Sequence, residues 1–136
     1  MKSLFPDICS TNLQASKEFY LSLLNFKVVF EIDWYIQLQS PTDENLQIAF
    51  VQQNHNSVPK SYQKSPQGVV ITVETDNVDL VYDKANNLQL PLALELRDEE
   101  WGQRHFMCVD PNGLLVDIVT MIEPTVQFLN EHGLST

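Results

Sequence analysis

Asp110-Pro111-Asn112-Gly113 stands between two short runs rich in apolar and β-branched residues, 104–109 and 114–119. That arrangement leaves this part of the chain little choice but a hairpin. Proline presets φ at the first central position of a turn, and asparagine and glycine tolerate the conformations that follow. A connection centred on Pro111 and Asn112 sets Asp110 opposite Gly113, Cys108 opposite Leu115, Phe106 opposite Asp117 and Arg104 opposite Val119. Alternation then gathers Asp117, Phe106, Cys108, Leu115 and Arg104 on one face. A carboxylate within an apolar strand is costly to bury unless something compensates it. Asp117 is therefore the first residue to question.

The rest of the chain states one plan twice. A strand at 4–9 and a turn at Ser10-Thr11-Asn12 lead into an amphipathic helix carrying Leu13, Phe19, Tyr20, Leu23 and Leu24. Strands follow at 27–32, 34–39 and 46–52. The second copy opens with a strand at 68–74. A helix carrying Val78, Val81, Tyr82, Ala85 and Leu88 comes next, capped by Asp76 or Asn77, then a strand at 91–96 and the hairpin. A shift of about 65 residues superposes one helix on the other, and about 68 the last strands, which sets Ala49 in the place of Asp117. The predicted fold is α+β, two βαβββ modules (1–53 and 67–122) forming a cupped, mixed sheet. A Pro- and Ser-containing linker at 54–66 joins them, and a helical tail occupies 123–136.

Composition narrows the function. Eighteen acids against eight bases give a net charge of −10, which repels nucleic acid and attracts cationic small molecules. Cys9 and Cys108 lack metal or redox spacing and suit a reducing compartment. With no apolar run of membrane-spanning length and no secretory leader, the expectation is a cytoplasmic protein without a membrane partner.

Three stretches, in order, carry a resemblance. They are Asn12-Leu13 with Ser16, Phe19-Tyr20 and Leu24-Asn25-Phe26; Val73-Glu74-Thr75-Asp76-Asn77-Val78-Asp79; and Trp101-Gly102-Gln103-Arg104 followed by Asp110-Pro111-Asn112-Gly113. Over residues 3–122 the chain resembles the vicinal-oxygen-chelate superfamily of glyoxalases, bleomycin-resistance proteins and extradiol dioxygenases. The resemblance implies a homodimer. In the superfamily's enzymes it also implies a divalent metal held by His, Gln or Glu on the first and last strands of each module.

Those positions fall on Phe5, Ala49, Val69 or Val70, and Asp117. Three of the four lack a donor atom, and one carboxylate cannot replace the N and O ligands of a catalytic metal. Asp7, two residues beyond Phe5, could join Asp117 around a weakly held hard cation. His55 falls in the linker, His132 in the tail, and His105 on the face opposite Asp117. Cys108 also faces away from His105, so no nucleophile–base pair supports metal-free catalysis.

The chain is most similar to the metal-free bleomycin-resistance branch, which implies sequestration of a planar or cationic antibiotic and no cofactor. The expected lining is Trp34, Ile36, Leu38 and Phe50 from the first module, with Trp101, Arg104, Phe106 and Asp117 from the second. Aromatic faces stack flat ligands, and acids attract cations. Arg104 and Asp117 form either a structural ion pair or a pair of ligand contacts. The alternatives are a metal-dependent lyase, isomerase or dioxygenase with an atypical site, and a regulatory dimer holding a metabolite.

Overall fold

The computed structural model describes residues 1–134. It contains two four-stranded mixed sheets and three α-helices. The last two residues of the predicted tail lie outside the described residues.

The first unit comprises 1–69 together with the loop Asp110–Leu114. Its elements are β1 (Asp7–Ser10), α1 (Leu13–Leu24), β2 (Lys27–Ile32), β3 (Tyr35–Gln39) and β4 (Gln47–Gln52), with a 3-10 turn at Lys60–Tyr62. Asn12 caps α1 by accepting the Ala15 amide at 3.0 Å, as its short polar side chain predicts. Asn25 ends α1 at φ 57°, a conformation asparagine tolerates. The strand order is β1-β4-β3-β2, with β1 parallel to β4.

Ile36 pairs with Phe50 and Leu38 with Ile48. All four are buried, and the Phe50 ring meets Tyr20 of α1 at 5.3 Å. Each such side chain removed from water contributes about 1.5–3 kcal/mol, so this sheet face is the unit's core. The Tyr20 hydroxyl, buried in that core, donates to Asp110 Oδ2 at 2.8 Å, which holds the 110–114 loop in the unit.

The second unit comprises 70–109 and the chain from Leu115 onward. It holds β5 (Val70–Glu74), α2 (Val78–Asn87), β6 (Leu92–Glu99), β7 (Gln103–Val109), β8 (Leu115–Met121) and α3 (Val126–Glu131). Its strand order, β5-β8-β7-β6, repeats that of the first unit. Asn77, not Asp76, caps α2. Phe106, Cys108, Val116 and Ile118 are buried on the face where Tyr82 of α2 meets the Phe106 ring at 5.2 Å.

The β7–β8 hairpin departs from the expected register by one residue. Asp110 N donates to Leu114 O at 2.9 Å and Gly113 N to Asp110 O at 3.1 Å. The loop is therefore three residues, Pro111, Asn112 and Gly113, with Gly113 at φ 83° as the left-handed residue of a bulged turn. Asp110 Oδ1 also accepts the amides of Asn112 and Leu114, which fixes the longer loop. Asp117 consequently faces Met107, and Phe106 faces Ile118. No helix among the described residues is long and apolar enough to cross a membrane.

Candidate functional site

A one-residue slip exchanges every side chain between faces, and the slip rebuilds the neighbourhood of Asp117. Phe106, Cys108 and Arg104, expected beside it, lie on the α2 side of the sheet. The face turned away from α2 carries Asp117, Met107, Val119 and His105. His105, expected opposite Asp117, is its hydrogen-bond partner.

The His105 ring is enclosed at 3% exposure. Its Nδ1 lies 2.8 Å from Asp117 Oδ1 and its Nε2 lies 2.7 Å from Glu99 Oε2. Only a doubly protonated imidazole donates to both. Burial works against that charge, but the hydrogen bonds His105 donates to Glu99 and then Asp117 outweigh it and raise the pKa above the ordinary 6.5. The same hydrogen bond from His105 is the main reason Glu99 is held below its usual range. Arg97 Nε contacts Glu99 Oε2 at 2.9 Å. Two carboxylates thus meet one imidazole and one guanidinium.

Trp101 overlooks this cluster. Its indole is 44% exposed and stands edge-on to His105, with centroids 6.4 Å apart and planes at 78°. Its Nε1 donates to Gln103 Oε1 at 2.8 Å. The turn beneath it is strapped down, because Ile122 N donates to Gly102 O and Thr125 N to Glu100 O, both at 2.9 Å. Gly102 adopts φ 104°, and a Cβ there would lie 2.8 Å from Ile122 O, so only glycine fits. An exposed aromatic on a rigid mount above a buried polar cluster suits a flat ligand that stacks and exchanges few hydrogen bonds.

The other expected lining residues lie elsewhere. Ile36, Leu38 and Phe50 do share a face, but it is the one packed on α1, and all three are fully buried. Trp34 sits in the β2–β3 turn rather than in a strand, stacked flat on His55 at 3.7 Å and 3°. Arg104 pairs with Asp79 at 3.0 Å and Asp98 at 2.9 Å, so the expected Arg104–Asp117 pair does not form. Glu99 and His105 were missed. A count outward from a three-residue loop closed by Asp110 and Leu114 would have set His105 on the side of Asp117.

The metal-ligand positions can be tested on their donors. Asp7 pairs with Ala49 in the first unit and Thr72 with Asp117 in the second. Val70, two residues before Thr72, shares its side, which resolves the choice between Val69 and Val70. Phe5, Ala49 and Val70 offer no donor, and Asp117 and both nitrogens of His105 are engaged with one another and Glu99. Among the described residues no group of three or more His, Cys, Asp and Glu side chains is placed to hold a metal ion. This donor set does not fit a catalytic divalent metal.

The profile of the glyoxalase/bleomycin resistance protein/dioxygenase superfamily matches residues 5–118. A superfamily member from Sphaerobacter thermophilus DSM 20745 is 20% identical, with a TM-score of 0.72 over 88% of this chain and 97% of that one. TnmS3, an antibiotic binding protein from Streptomyces sp. CB03234, is 15% identical, with a TM-score of 0.69 over 89% and 96%. TioX from Micromonospora sp. ML1 is 12% identical, with a TM-score of 0.68 over 90% and 100%. No curated protein matches the chain. With a profile spanning most of its length and two β-sheets in the same strand order, the chain belongs to the glyoxalase/bleomycin resistance protein/dioxygenase superfamily.

Proposed function

We propose that this chain is a metal-independent binding protein for a planar small molecule, of the kind that sequesters an antibiotic. One observation carries the reading. Asp117, the only donor among the family's metal positions as they fall on this sequence, is buried and committed to His105 beneath the exposed indole of Trp101. A carboxylate already paired with an imidazolium is a poor metal ligand and a poor partner for a ligand cation. The face then offers stacking area more than charge, which favours planarity over positive charge in the ligand. TnmS3, of the same fold, binds an antibiotic, which supports the ligand class without fixing it. The reading includes a cytoplasmic homodimer. The apolar side chains left open on edge strand β2, Phe30 at 51% exposure among them, are what a second copy would cover.

Calorimetry of chelator-treated protein with nickel, zinc and manganese is the first test, followed by tryptophan-fluorescence titration against planar antibiotics. The reading expects no near-stoichiometric metal binding at micromolar concentration. It also expects a saturable ligand response that weakens about tenfold in Trp101→Ala, the loss of one stacking contact. Tight one-to-one metal binding that disappears in Asp117→Ala would instead identify a metal-dependent enzyme.

A further inference from the structure

We propose that a polar cleft in the first unit binds a cationic polyhydroxy ligand of the amino-sugar class. The cleft lies where the carboxyl ends of the parallel strands β1 and β4 meet the start of α1 and the β2–β3 turn. It is an open groove of about 530 Å³ lined by Thr11, Gln14, Glu31, Asp33 and Gln52 among others. A second hollow of about 340 Å³ adjoins it, shares Ser10, Thr11 and Gln52, and adds Gln53, Asn54 and Gln63. Each has the volume of a small-molecule site. Two hollows with one common wall suit two linked rings.

The lining chooses the ligand. Side-chain amides and hydroxyls supply donors and acceptors together, which matches a polyol rather than an apolar ring system. Glu31 and Asp33 are the only acidic side chains among the lining residues of either hollow; Glu31 is neutralised by Lys17 at 3.1 Å, so it is Asp33 that favours an ammonium over an anion there. The Asn12 side chain accepts the Ala15 amide at the start of α1, which occupies one of the donors there. Glu31 is held in place by Lys17 and Gln14, each at 3.1 Å. Asp33, exposed on the turn, is the carboxylate placed to meet the ligand's amine.

The walls are fixed in advance of any ligand. The backbone N–H of Gln52, common to both hollows, donates to Trp34 O and its backbone carbonyl accepts from His55 N, both at 2.9 Å. The rings of Trp34 and His55 stack flat on each other at 3.7 Å. Ser10 is buried against Ser16 at 3.0 Å. Gln63 Nε2 donates to Val58 O at 2.9 Å and His55 O at 3.3 Å, bracing the loop that closes the second hollow. Rigid walls lower the ordering cost of binding a small polar ligand.

The test is an NMR titration of isotope-labelled protein with a β-1,4-linked glucosamine disaccharide, using its N,N′-diacetyl form as the uncharged control. Saturable shifts are expected at the amides of Thr11, Asp33, Gln52, Gln53 and Asn54. Binding should weaken about tenfold for the diacetyl form and for Asp33→Asn, the weight of one charge-assisted hydrogen bond. Gln52→Ala, also at an exposed side chain, should lose a comparable factor, with resonances away from the cleft unmoved in both variants. Absence of saturation by about 50 mM, beyond the millimolar range of a weak specific site, overturns the proposal. So does equal binding of the diacetyl form, or shifts confined to β7 and β8. The Trp101→Ala titration is read separately, so failure here leaves the planar-ligand reading standing, and the converse holds.

Discussion

Asp117→Asn keeps the side-chain volume and removes one charge from the shell of His105, and its cost can be worked from the geometry. His105 is 3% exposed and has a carboxylate within 2.8 Å of each ring nitrogen. Deleting one partner of a buried ion pair costs about 3–5 kcal/mol. The introduced amide can still accept from Nδ1–H, and Glu99 still holds Nε2, so the expected penalty is about 2–3 kcal/mol. The pH dependence is the sharper signature. His105 has a folded pKa raised above 6.5, so its contribution is full below 6.5 and is lost as pH rises through the raised value. Glu99 is held below 4.5, so its contribution is present above 4.5 and is lost as pH falls through the lowered value. The network is worth most between those two ordinary pKa values. Above the folded pKa of His105, the native imidazole turns a lone pair toward a carboxylate, whereas the introduced amide can donate to it. The penalty must therefore shrink as pH rises. Urea unfolding at about pH 5.5 and about pH 9, followed by tryptophan fluorescence, measures both values. A penalty below about 1 kcal/mol at the lower pH, or one that grows with pH, would refute the imidazolium assignment.

Two further substitutions probe the supports of the same face. Gly102→Ala meets Ile122 O at 2.8 Å and Pro124 at 3.0 Å at φ 104°, whereas Gly113→Ala meets open space at φ 83°. Thermal unfolding should show a loss of about 2 kcal/mol or more for the first and about 1 kcal/mol for the second, with the order as the decisive result. Arg104→Gln removes pairs with Asp79 and Asp98 on the α2 side. It should leave the NMR titration of His105 unchanged, while Asp117→Asn lowers the His105 pKa. A shift in the Arg104 variant would restore the Arg104–Asp117 neighbourhood that the register excludes.

The elements of this fold were legible because each is punctuated locally. Asn12 and Asn77 cap their helices as short polar side chains do, and Asp110-Pro111-Asn112-Gly113 does make the final turn. What local pattern could not give was the loop length, since Gly113 serves a three-residue bulged loop as readily as a two-residue turn. That ambiguity moved His105 across the sheet. Alternation put Ile36, Leu38 and Phe50 on one face, but which face is covered is decided by Tyr20 of α1, a partner distant in sequence. The acidic stretch at 98–100 carries no local sign that one of its carboxylates serves a partner across the sheet. β6 continues through Glu99, whose carboxylate is spent on His105 and Arg97.

A carboxylate at a family ligand position in an apolar sheet has three physical outcomes: it coordinates a metal, it receives a ligand's cation, or it is neutralised within the protein. The first requires further donors, and Phe5, Ala49 and Val70 supply none. The second requires a free lone-pair direction and uncompensated charge, yet Asp117 faces an imidazolium at 2.8 Å within a cluster that includes Arg97. The third is what the geometry contains. A site built this way holds its polar floor rigid and gains little from ligand charge. On the proposed reading, discrimination on this face falls to the shape and area presented by Trp101, which a hydroxyl or amine on the ligand would alter less than the loss of one aromatic ring. The chain's excess acid can still raise the encounter rate of a cationic ligand, but at this face it does so from outside the contact.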